Sequence, residues 1–549
     1  MNYPPHHSRR LSSHLISAVV AAMSVATLGP APLTAQPTQP VRAPAARDST
    51  RALGERLERV MARPEFKHAM FGVAFYSLDD DRMTFAYNAD KLFQAASTTK
   101  TLTVGTALRL LGADYRFHTR VFATAPVAAD GTLRGDLVLV ASGDPNLSGR
   151  VIAGDKLAFE NEDHSYDAQP ETRAVPGDPL LVIRALAAQV AAKGVKRITG
   201  HVLIDATLFP EGERELGTGV VISPVIVNDN LVDVTIGPGA SAGAPTSVTV
   251  SPATSYVRFI NTSTTAPAGA RPSITWSADS AGPGSARVVT VGGVFPLSTP
   301  AILYSYAVPQ PSRFAQVTFV QALKEKGITA ELSPPEAQRD FKGSAASYLP
   351  ERLMAEHVSP PFAEEAKVTL KVSQNLHASA LPFILKAVLA KRDTGKTAFD
   401  LEREFLQSAG LDLGGAQQSD GAGGDAAFSP DFMVHYLAYQ AKQPYFDAFH
   451  RAMPVLGRDG TLFNIQTGSP AAGHVNAKTG TLNRYDALNR KLLVTAKGLA
   501  GYLTTANGRR YALAIYVNNV AVSLDPDATR LVAGQAMGEI AAAGYATLP

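Results

Sequence analysis

The sequence predicts an α+β protein in which helices pack on an antiparallel sheet and a long β-rich region is inserted within that domain. Helical spacing of apolar residues occurs near both ends of the chain, at 49–62 and 525–543. Two strand patterns at 499–517 flank Asn507-Gly508, a dipeptide that favours a type I′ hairpin turn. Residues 121–349, in contrast, consist mostly of short β-like runs separated by turns rich in Gly, Pro and Ser.

These patterns divide the chain into four segments. Residues 1–35 have the basic start, apolar run and small-residue end of a secretory signal peptide. Residues 36–48 are rich in Pro, Ala and Gln and predict a flexible leader. The outer α+β domain is predicted at 49–120 and 350–549, and the inserted β-rich region at 121–349 has enough strands for two subdomains.

The composition excludes several classes of protein. With 549 residues, 45% hydrophobic content and a formal net charge of +3, the chain can bury a large core and has little charge to attract a polyanion. No run of Lys or Arg interleaves with aromatic residues, so no nucleic-acid partner is expected. No segment after the signal peptide is long and apolar enough for a stable membrane span. A protein released into the periplasm is therefore predicted.

Metal and cofactor sites find no support in the residue pattern. The chain has no cysteine, which removes disulfides, thiolate nucleophiles and cysteine-based zinc sites. Its 12 histidines show neither the H-E-x-x-H nor the H-x-H spacing of zinc sites. We therefore expect no metal and no cofactor.

A serine and a lysine three residues apart are the first candidates for chemistry. In Ser97-Thr98-Thr99-Lys100, helical spacing places both side chains on one face, and no other lysine in the sequence has a serine three residues before it. A serine hydroxyl needs a base to become a nucleophile, and a buried lysine can supply one because desolvation lowers its pKa. Taken alone, however, a serine at this place is more typical of a helix cap.

Two further triplets occur once each and in a fixed order after this pair. Ser373-Gln374-Asn375 could be only a polar turn between two helices, and Lys478-Thr479-Gly480 could be only an exposed strand end. The order S-x-x-K, S-x-N, K-T-G is, however, the one that β-lactamases and penicillin-binding proteins share. The three triplets together therefore predict one active site.

The chain resembles the class C low-molecular-mass penicillin-binding proteins, the D-alanyl-D-alanine carboxypeptidase/endopeptidase family also called peptidase family S13. The resemblance extends to GDLVLVASGDPNL at 135–147, to SPVIVNDN at 223–230 and to later segments ending at LAGYL, and so covers nearly all of the mature chain. It implies that the outer domain has the fold of serine β-lactamases and DD-peptidases, with the insertion between the first and second motifs.

The resemblance also implies a role for each motif residue. The catalytic residues would be Ser97 as the nucleophile, Lys100 as its base, Ser373 as a proton relay, Asn375 and Lys478. The substrate would be bound by Thr479, Gly480 and Thr481, with Thr479 holding the terminal carboxylate and Gly480 leaving room for the substrate backbone. The backbone N–H groups of Ser97 and Thr481 would form the oxyanion hole.

A protein of this family would hydrolyse D-alanyl-D-alanine bonds in peptidoglycan stem peptides and cross-links through an acyl-enzyme, and β-lactams would inhibit it. A β-lactamase or esterase with the same site is an alternative, although those enzymes have no comparable insertion. A third possibility is a non-catalytic wall-binding protein with a degenerate site.

Some features depart from the family pattern. The landmark D-G-S-G appears as Asp420-Gly421-Ala422-Gly423, which puts in doubt a hydrogen bond of the missing serine, and the stretch at 483–498 is long enough to extend a loop or strand pair at the cleft edge. Glu211, Glu213 and Glu215 are expected to be solvated loop charges. The G-x-S-x-G match at 239–243 is followed by Pro245 and a strand pattern, so it predicts a loop and not a nucleophile elbow.

Overall fold

The computed structural model describes residues 44–277, 279–281, 286–332, 341, 345–389 and 395–549. The predicted signal peptide and residues 36–43 of the predicted leader lie outside these ranges. The first described helix begins at Pro44, within the predicted leader.

The helix predicted at 49–62 is present at Pro44–Met61, whereas the one predicted at 525–543 begins ten residues later than expected, at Gln535. In chain order the helices are α1 (Pro44–Met61), α2 (Lys100–Leu110), α3 (Leu181–Ala192), α4 (Pro311–Glu325), α5 (Phe362–Lys371), α6 (Asn375–Leu389), α7 (Ala398–Ser408), α8 (Pro430–Gln440), α9 (Phe446–Ala452) and α10 (Gln535–Thr547). A 3₁₀ turn at Ala96–Thr99 leads into α2, and a π-helical turn at Arg530–Gly534 leads into α10. No helix among the described residues is long and apolar enough to cross a membrane.

The strands are short in the inserted region and long in the outer domain. The first ten are β1 (Met70–Ser77), β2 (Arg82–Tyr87), β3 (Phe93–Gln94), β4 (His118–Ala123), β5 (Thr132–Leu133), β6 (Leu137–Val140), β7 (Val151–Ile152), β8 (Lys156–Leu157), β9 (Arg197–Ile198) and β10 (Val202–Asp205). The others are β11 (Leu231–Gly237), β12 (Ser247–Ser251), β13 (Val257–Asn261), β14 (Thr264–Ala266), β15 (Ser273–Trp276), β16 (Ser280–Ala281), β17 (Arg287–Pro296), β18 (Ile302–Ala307), β19 (Leu353–Val358), β20 (Ala416–Gln418), β21 (Ala426–Phe428), β22 (Val475–Asp486), β23 (Lys491–Thr504), β24 (Arg510–Asn518) and β25 (Val520–Val522).

The outer domain is built on a six-stranded sheet in the order β2-β1-β24-β23-β22. The sixth strand, β25, pairs with residues 492–494 near the start of β23. Every pairing in this sheet is antiparallel, as the sequence predicts. The first two strands and the last four are joined into one sheet across the whole inserted region. The strand that carries Lys478-Thr479-Gly480, β22, lies at the edge of the sheet.

Helices cover both faces of this sheet, as the alternation of side chains along β1 illustrates. Val73 and Phe75 belong to a core shared with α1 and α10, whereas Ala74 and Tyr76 belong to a second core shared with α2, α6 and α8. Successive side chains of a strand point to opposite faces, so an apolar run buried on both faces is what a central strand requires.

The inserted region forms several sheets. A four-stranded sheet in the order β10-β6-β4-β19 shares a core with α3 and α4, and a three-stranded and a five-stranded sheet are built around β11 and β17. In the first of these sheets Thr119 of β4 pairs with His357 of β19. The sheet thus includes residues on both sides of the predicted boundaries at 121 and 349.

The hairpin turn between β23 and β24 differs from the predicted type I′ turn. Gly508 has φ +83°, but Asn507 is not in the left-handed region, which a type I′ turn requires at both central residues. The amide of Gly508 donates to the carbonyl of Thr505 (2.9 Å), and the amide of Thr505 donates to the carbonyl of Arg509 (2.8 Å). The loop is longer than two residues, since the last paired residues of the strands are Thr504 and Arg510. Within it the Thr505 hydroxyl contacts Asn507 and the Arg509 amide.

A buried carboxyl group lies between α7 and α2. Glu402 accepts a hydrogen bond from the Thr106 hydroxyl (3.0 Å) and is 7% exposed, and burial raises its pKa to about 7 although this hydrogen bond acts in the opposite direction. Because the folded state holds this proton more tightly than the unfolded chain does, the free energy of unfolding falls as pH rises from about 4.5 to about 7.

We therefore expect Glu402→Gln to be more stable than the wild type at pH 8 by roughly 3 kcal/mol, with a smaller difference at pH 5. Urea unfolding of both proteins at the two pH values measures this difference. A difference that does not change with pH would show that Glu402 is ionised alike in the folded and unfolded states.

Candidate active site

Residues of the first and second motifs meet around the side-chain nitrogen of Lys100. Lys100, at the start of α2, places Nζ 2.7 Å from Ser97 Oγ and 2.6 Å from Asn375 Oδ1. Ser373 Oγ lies 3.3 Å from the same nitrogen. The sequence separates these partners by as much as 275 positions, and the packing of α2 against α6 brings them together.

Lys100 is fully buried and does not face a carboxylate at ion-pair distance among the described residues. Desolvation lowers its pKa to about 7, although the negative charges of Glu215 and Asp420 act in the opposite direction. At neutral pH a large fraction of this amine is thus unprotonated. A neutral amine at 2.7 Å from a serine hydroxyl can accept its proton.

Lys478 of the third motif approaches the second motif from the other side. Its Nζ donates to Ser373 Oγ (2.8 Å) and to the carbonyl of Thr479 (2.7 Å). Burial lowers the pKa of Lys478 well below its usual value, and the charges of Lys100 and Lys497 lower it further. Ser373 therefore bridges two lysines, an arrangement that can carry a proton between them.

Two non-glycine residues with left-handed backbone conformations support the site. Ala96 has φ +48° directly before Ser97, and Ser373 has φ +67° at the junction of α5 and α6. Such conformations cost about 1 kcal/mol or more outside glycine, and they persist where the surrounding structure fixes them. The helices α5 and α6 thus meet at the residue whose hydroxyl contacts both lysines.

The three motifs open onto one cleft with a volume of about 360 Å³. Its lining includes Ser97, Ser373 and two residues of β22, Thr479 and Thr481. Thr479 Oγ1 donates to Thr461 Oγ1 (2.7 Å), and Thr481 Oγ1 accepts from Lys497 Nζ (2.7 Å). Each residue that the sequence predicted for the site thus either lines this cleft or contacts a residue that lines it.

Comparison with known families agrees with this arrangement. The model of the D-Ala-D-Ala carboxypeptidase 3 (S13) family matches residues 53–541, most of the chain. The chain belongs to this family. The predicted family is confirmed, and with it the predicted enzyme class, a serine-type D-alanyl-D-alanine carboxypeptidase.

Individual S13 relatives are distant but match over most of their length. The chain is 25% identical to the D-alanyl-D-alanine carboxypeptidase of Actinomadura sp. (strain R39) over 490 residues, which are 85% of this chain and 83% of the relative. It is 23% identical to the D-alanyl-D-alanine carboxypeptidase DacB of Haemophilus influenzae over 466 residues, covering 80% and 84% of the two chains.

The crystal structure of penicillin-binding protein 4 from H. influenzae superposes on this chain with a TM-score of 0.64 at 20% identity, covering 91% of this chain and 99% of the other. A second structure of that protein, in complex with a β-lactam, gives a TM-score of 0.60 over 88% and 98% of the two chains. This similarity confirms the predicted fold class, an α+β DD-peptidase-like domain.

Gly480 of this S13 protein lies directly against the turn that carries the nucleophile. A Cβ atom at Gly480 would lie 2.5 Å from the carbonyl oxygen of Ala95 and 3.1 Å from the amide nitrogen of Ser97. The glycine is required because β22 touches the turn that carries the nucleophile. That it also makes room for substrate backbone stays a prediction. The same contact places the strand next to the Ser97 amide.

Although Ala422 stands where the D-G-S-G landmark has serine, its backbone still contacts Lys100. The carbonyl oxygen of Ala422 accepts a hydrogen bond from Lys100 Nζ (3.3 Å), a contact that needs no side chain. Asp420 holds this segment by accepting from the amides of Ala422 (2.7 Å) and Gly423 (2.6 Å). Gly423, with φ +96°, is required because a Cβ there would lie 2.0 Å from the carbonyl of Ala96.

The three glutamates at 211–215, all predicted to be solvated, lie in different environments. Glu213 is exposed as expected, but Glu215 is only 3% exposed and accepts from the Gly217 amide (2.7 Å) and from Thr218. Glu211 is half-buried and accepts from the hydroxyls of Ser223 and Ser312 (both 2.6 Å), so the expectation of solvated charge was wrong for both of these residues. The segment 239–243 is a loop between β11 and β12, as predicted.

Tyr166 of the inserted region reaches the site, and the sequence did not reveal it. Its hydroxyl donates to the carbonyl of Ser373 (2.6 Å) and lies 3.2 Å from Asn375 Oδ1. A tyrosine in a β-rich region carries no motif, and 207 positions separate it from Ser373. Only the fold brings the two together.

A buried charged cluster also supports the second motif from the inserted region. Asp229 accepts hydrogen bonds from Arg150 (2.6 Å) and from His377 of α6 (3.1 Å). It also accepts one from the side chain of Gln374 (3.0 Å), the middle residue of the second motif. Asp163, His164 and Asp229 are close enough together to hold a metal ion. The Arg150 guanidinium bonds both carboxylates, however, and so already supplies a positive charge between them.

Proposed function

We propose that this protein is an exported serine DD-peptidase that cleaves the bond between the last two D-alanine residues of peptidoglycan stem peptides, and D-alanyl cross-links, through an acyl-enzyme on Ser97. The observation that carries the proposal is the buried amine of Lys100, with a pKa of about 7, at 2.7 Å from Ser97 Oγ. Membership of the S13 family supports the same chemistry.

In the first step neutral Lys100 takes the proton of Ser97, and Oγ attacks the carbonyl carbon of the penultimate D-alanine. The oxyanion is stabilised by the backbone N–H groups of Ser97 and Thr481. The contact of Gly480 with the Ser97 amide supports this pairing, because it brings the strand that carries Thr481 beside the nucleophile.

In the second step the leaving amine needs a proton. Ser373 Oγ lies 3.3 Å from Lys100 Nζ and 2.8 Å from Lys478 Nζ, so it can pass a proton from the lysines to the amine. Asn375 binds Lys100 through Oδ1, while its Nδ2 faces Gly217, where a Cβ would lie only 2.0 Å away. Oδ1 of Asn375 thus holds the amine of Lys100 beside Ser97 Oγ.

Water then hydrolyses the ester and releases the shortened peptide. A β-lactam acylates Ser97 by the same route, but its leaving group stays tethered to the acyl part and hinders the approach of water. We therefore infer that β-lactams inhibit this enzyme by forming a long-lived adduct.

Export to the periplasm completes the proposal. The pattern of residues 1–35 supports a cleaved signal peptide, because a basic start, an apolar run and small residues follow each other in the required order. Fractionation of producing cells tests it: the mature chain is expected in the periplasmic fraction, and uncleaved protein in the cytoplasm would contradict export.

The activity is tested by incubating the mature protein with diacetyl-L-lysyl-D-alanyl-D-alanine and measuring released D-alanine. Wild type is expected to release it, Ser97→Ala to release none, and Ser241→Ala, which removes the serine of the rival G-x-S-x-G loop, to match wild type. No release by a folded wild type, or equal release by Ser97→Ala, would contradict the proposal. Rapid hydrolysis of penicillin without peptide hydrolysis would favour a β-lactamase.

A further inference from the structure

The cleft contains a lysine for which the proposed mechanism has no use. Lys497 lies on β23 directly opposite Thr481 of β22, and its Nζ donates to Thr481 Oγ1 (2.7 Å). It lines the same cleft as Ser97 and Thr479. Its place on the strand that supports the third motif suggests a part in substrate binding.

Lys497 is half-buried and has no acidic partner. Among the described residues no carboxylate lies within 4.0 Å of its Nζ, whereas the neighbouring Arg530 on the cleft wall pairs with Asp527 at 2.9 Å. Burial alone lowers the pKa of Lys497 to about 8. Burying an unpaired ammonium is unfavourable, so an anion that enters the cleft beside Lys497 gains a strong partner.

The two lysines of this strand pair point to opposite faces of the sheet edge. Lys478 and Gly480 face Ser373 and the Ser97 turn, and both hydrogen bonds of Lys478 end on Ser373 and on the Thr479 carbonyl. The side chains of Thr479 and Thr481 alternate with these and lie on the face of Lys497. On the face of the sheet edge that carries the side chains of Thr479 and Thr481, the lysine charge therefore comes from Lys497 and not from Lys478.

The Thr481 hydroxyl links this charge to the cleft. Because its oxygen accepts from Lys497, its own proton is free to donate to a ligand. The Thr481 hydroxyl and the Lys497 ammonium are thus two donors on one face that suit a carboxylate. The Thr479 hydroxyl, which here donates to Thr461 Oγ1, becomes a third when it turns to a ligand. An amino acid released from the end of a peptide carries a carboxylate beside its leaving amine, and penicillin carries one on its ring.

We propose that Lys497, acting with Thr479 and Thr481, binds the carboxylate beside the scissile bond on the leaving-group side and makes the enzyme select substrates in which this carboxylate is free. This inference rests on the proposed DD-peptidase function and adds a specificity-determining residue outside the three motifs.

The test compares one peptide in two forms, diacetyl-L-lysyl-D-alanyl-D-alanine and its carboxyl-terminal amide. Lys497→Met is expected to lower kcat/KM for the free acid about 30-fold, the equivalent of about 2 kcal/mol for a charged hydrogen bond, and to leave the amide unchanged. Lys497→Arg should keep most of the preference for the acid. Lys491→Met, which changes an exposed lysine at the far end of the same strand, should behave as wild type.

Acylation by benzylpenicillin and by its methyl ester supplies a second comparison that does not depend on peptide turnover. Lys497→Met should lose the preference for the free acid here as well. An unchanged preference, or an equal loss for acid and neutral forms, would overturn the assignment of Lys497. If wild type neither releases D-alanine nor is acylated, the proposed function fails first, so the two failures are distinguishable.

Discussion

Replacing Lys100 by methionine is expected to slow acylation of Ser97 by penicillin about 10³-fold, the range typical of a lost general base. The side chain of methionine fills the buried space of the lysine stem but cannot accept the serine proton. Stopped-flow fluorescence or timed quenching with intact mass spectrometry measures the rate. Because the neutral amine is the active form and the pKa of Lys100 is about 7, the wild-type acylation rate should rise as pH increases through 7.

Lys100→Arg separates a base from a mere positive charge. Arginine keeps the charge but does not lose its proton at any accessible pH, so it should be as slow as methionine. Lys193→Met, at the exposed end of α3, is the control and should match wild type. Acylation of Lys100→Arg at the wild-type rate would show that Lys100 acts only through its charge.

Asp229→Asn is expected to lower the free energy of unfolding by about 3–5 kcal/mol, the usual cost of breaking a buried ion pair. The carboxylate is 1% exposed and holds Arg150, His164, His377 and Gln374. Its removal leaves each of these three buried cationic side chains with one carboxylate partner instead of two. Urea unfolding measures the loss, and Asp155→Asn is the matched control because its pair with Arg116 is largely exposed and should cost at most about 1 kcal/mol.

The same cluster predicts how stability depends on alkaline pH. Burial favours the neutral form of both histidines, but the neighbouring carboxylates prevail and raise the pKa of His164 to about 10 and of His377 to about 9. Their stabilising contribution is complete below about pH 6.5 and is lost progressively as pH rises from there to the folded-state pKa values of about 9 and about 10. Wild type should therefore lose stability in this range, and Asp229→Asn should lose less, although Asp233 and Glu365 remain beside the histidines. Equal pH profiles would contradict charged histidines in the folded state.

The active-site residues of the three motifs could be predicted because their spacing and order carry the information. Serine and lysine three positions apart on a helix must share a face, and this holds whatever surrounds them. The sheet of the outer domain was predictable for a similar reason, since alternating apolar residues and turn dipeptides are local signals. Local signals, however, did not reveal the conformation of Asn507 in the hairpin turn.

Residues that reach the site from distant segments could not be predicted. Tyr166 and Asp229 belong to the inserted region, and their contacts with Ser373 and Gln374 depend on how that region packs on α6. Lys497 faces Thr481 only through the register of β22 and β23. Glu215 was misjudged because its acidic neighbourhood suggests a solvated loop, whereas backbone amides two and three residues later satisfy its carboxylate in a buried turn.

The most direct test of the account is the mass of the intact protein after exposure to benzylpenicillin, followed by mapping of the modified peptide. Wild type is expected to gain the mass of one penicillin on Ser97, and Ser97→Ala is expected to gain none. An unmodified but folded wild type, an adduct on another residue, or equal modification of Ser97→Ala would contradict the assignment of Ser97 as the nucleophile.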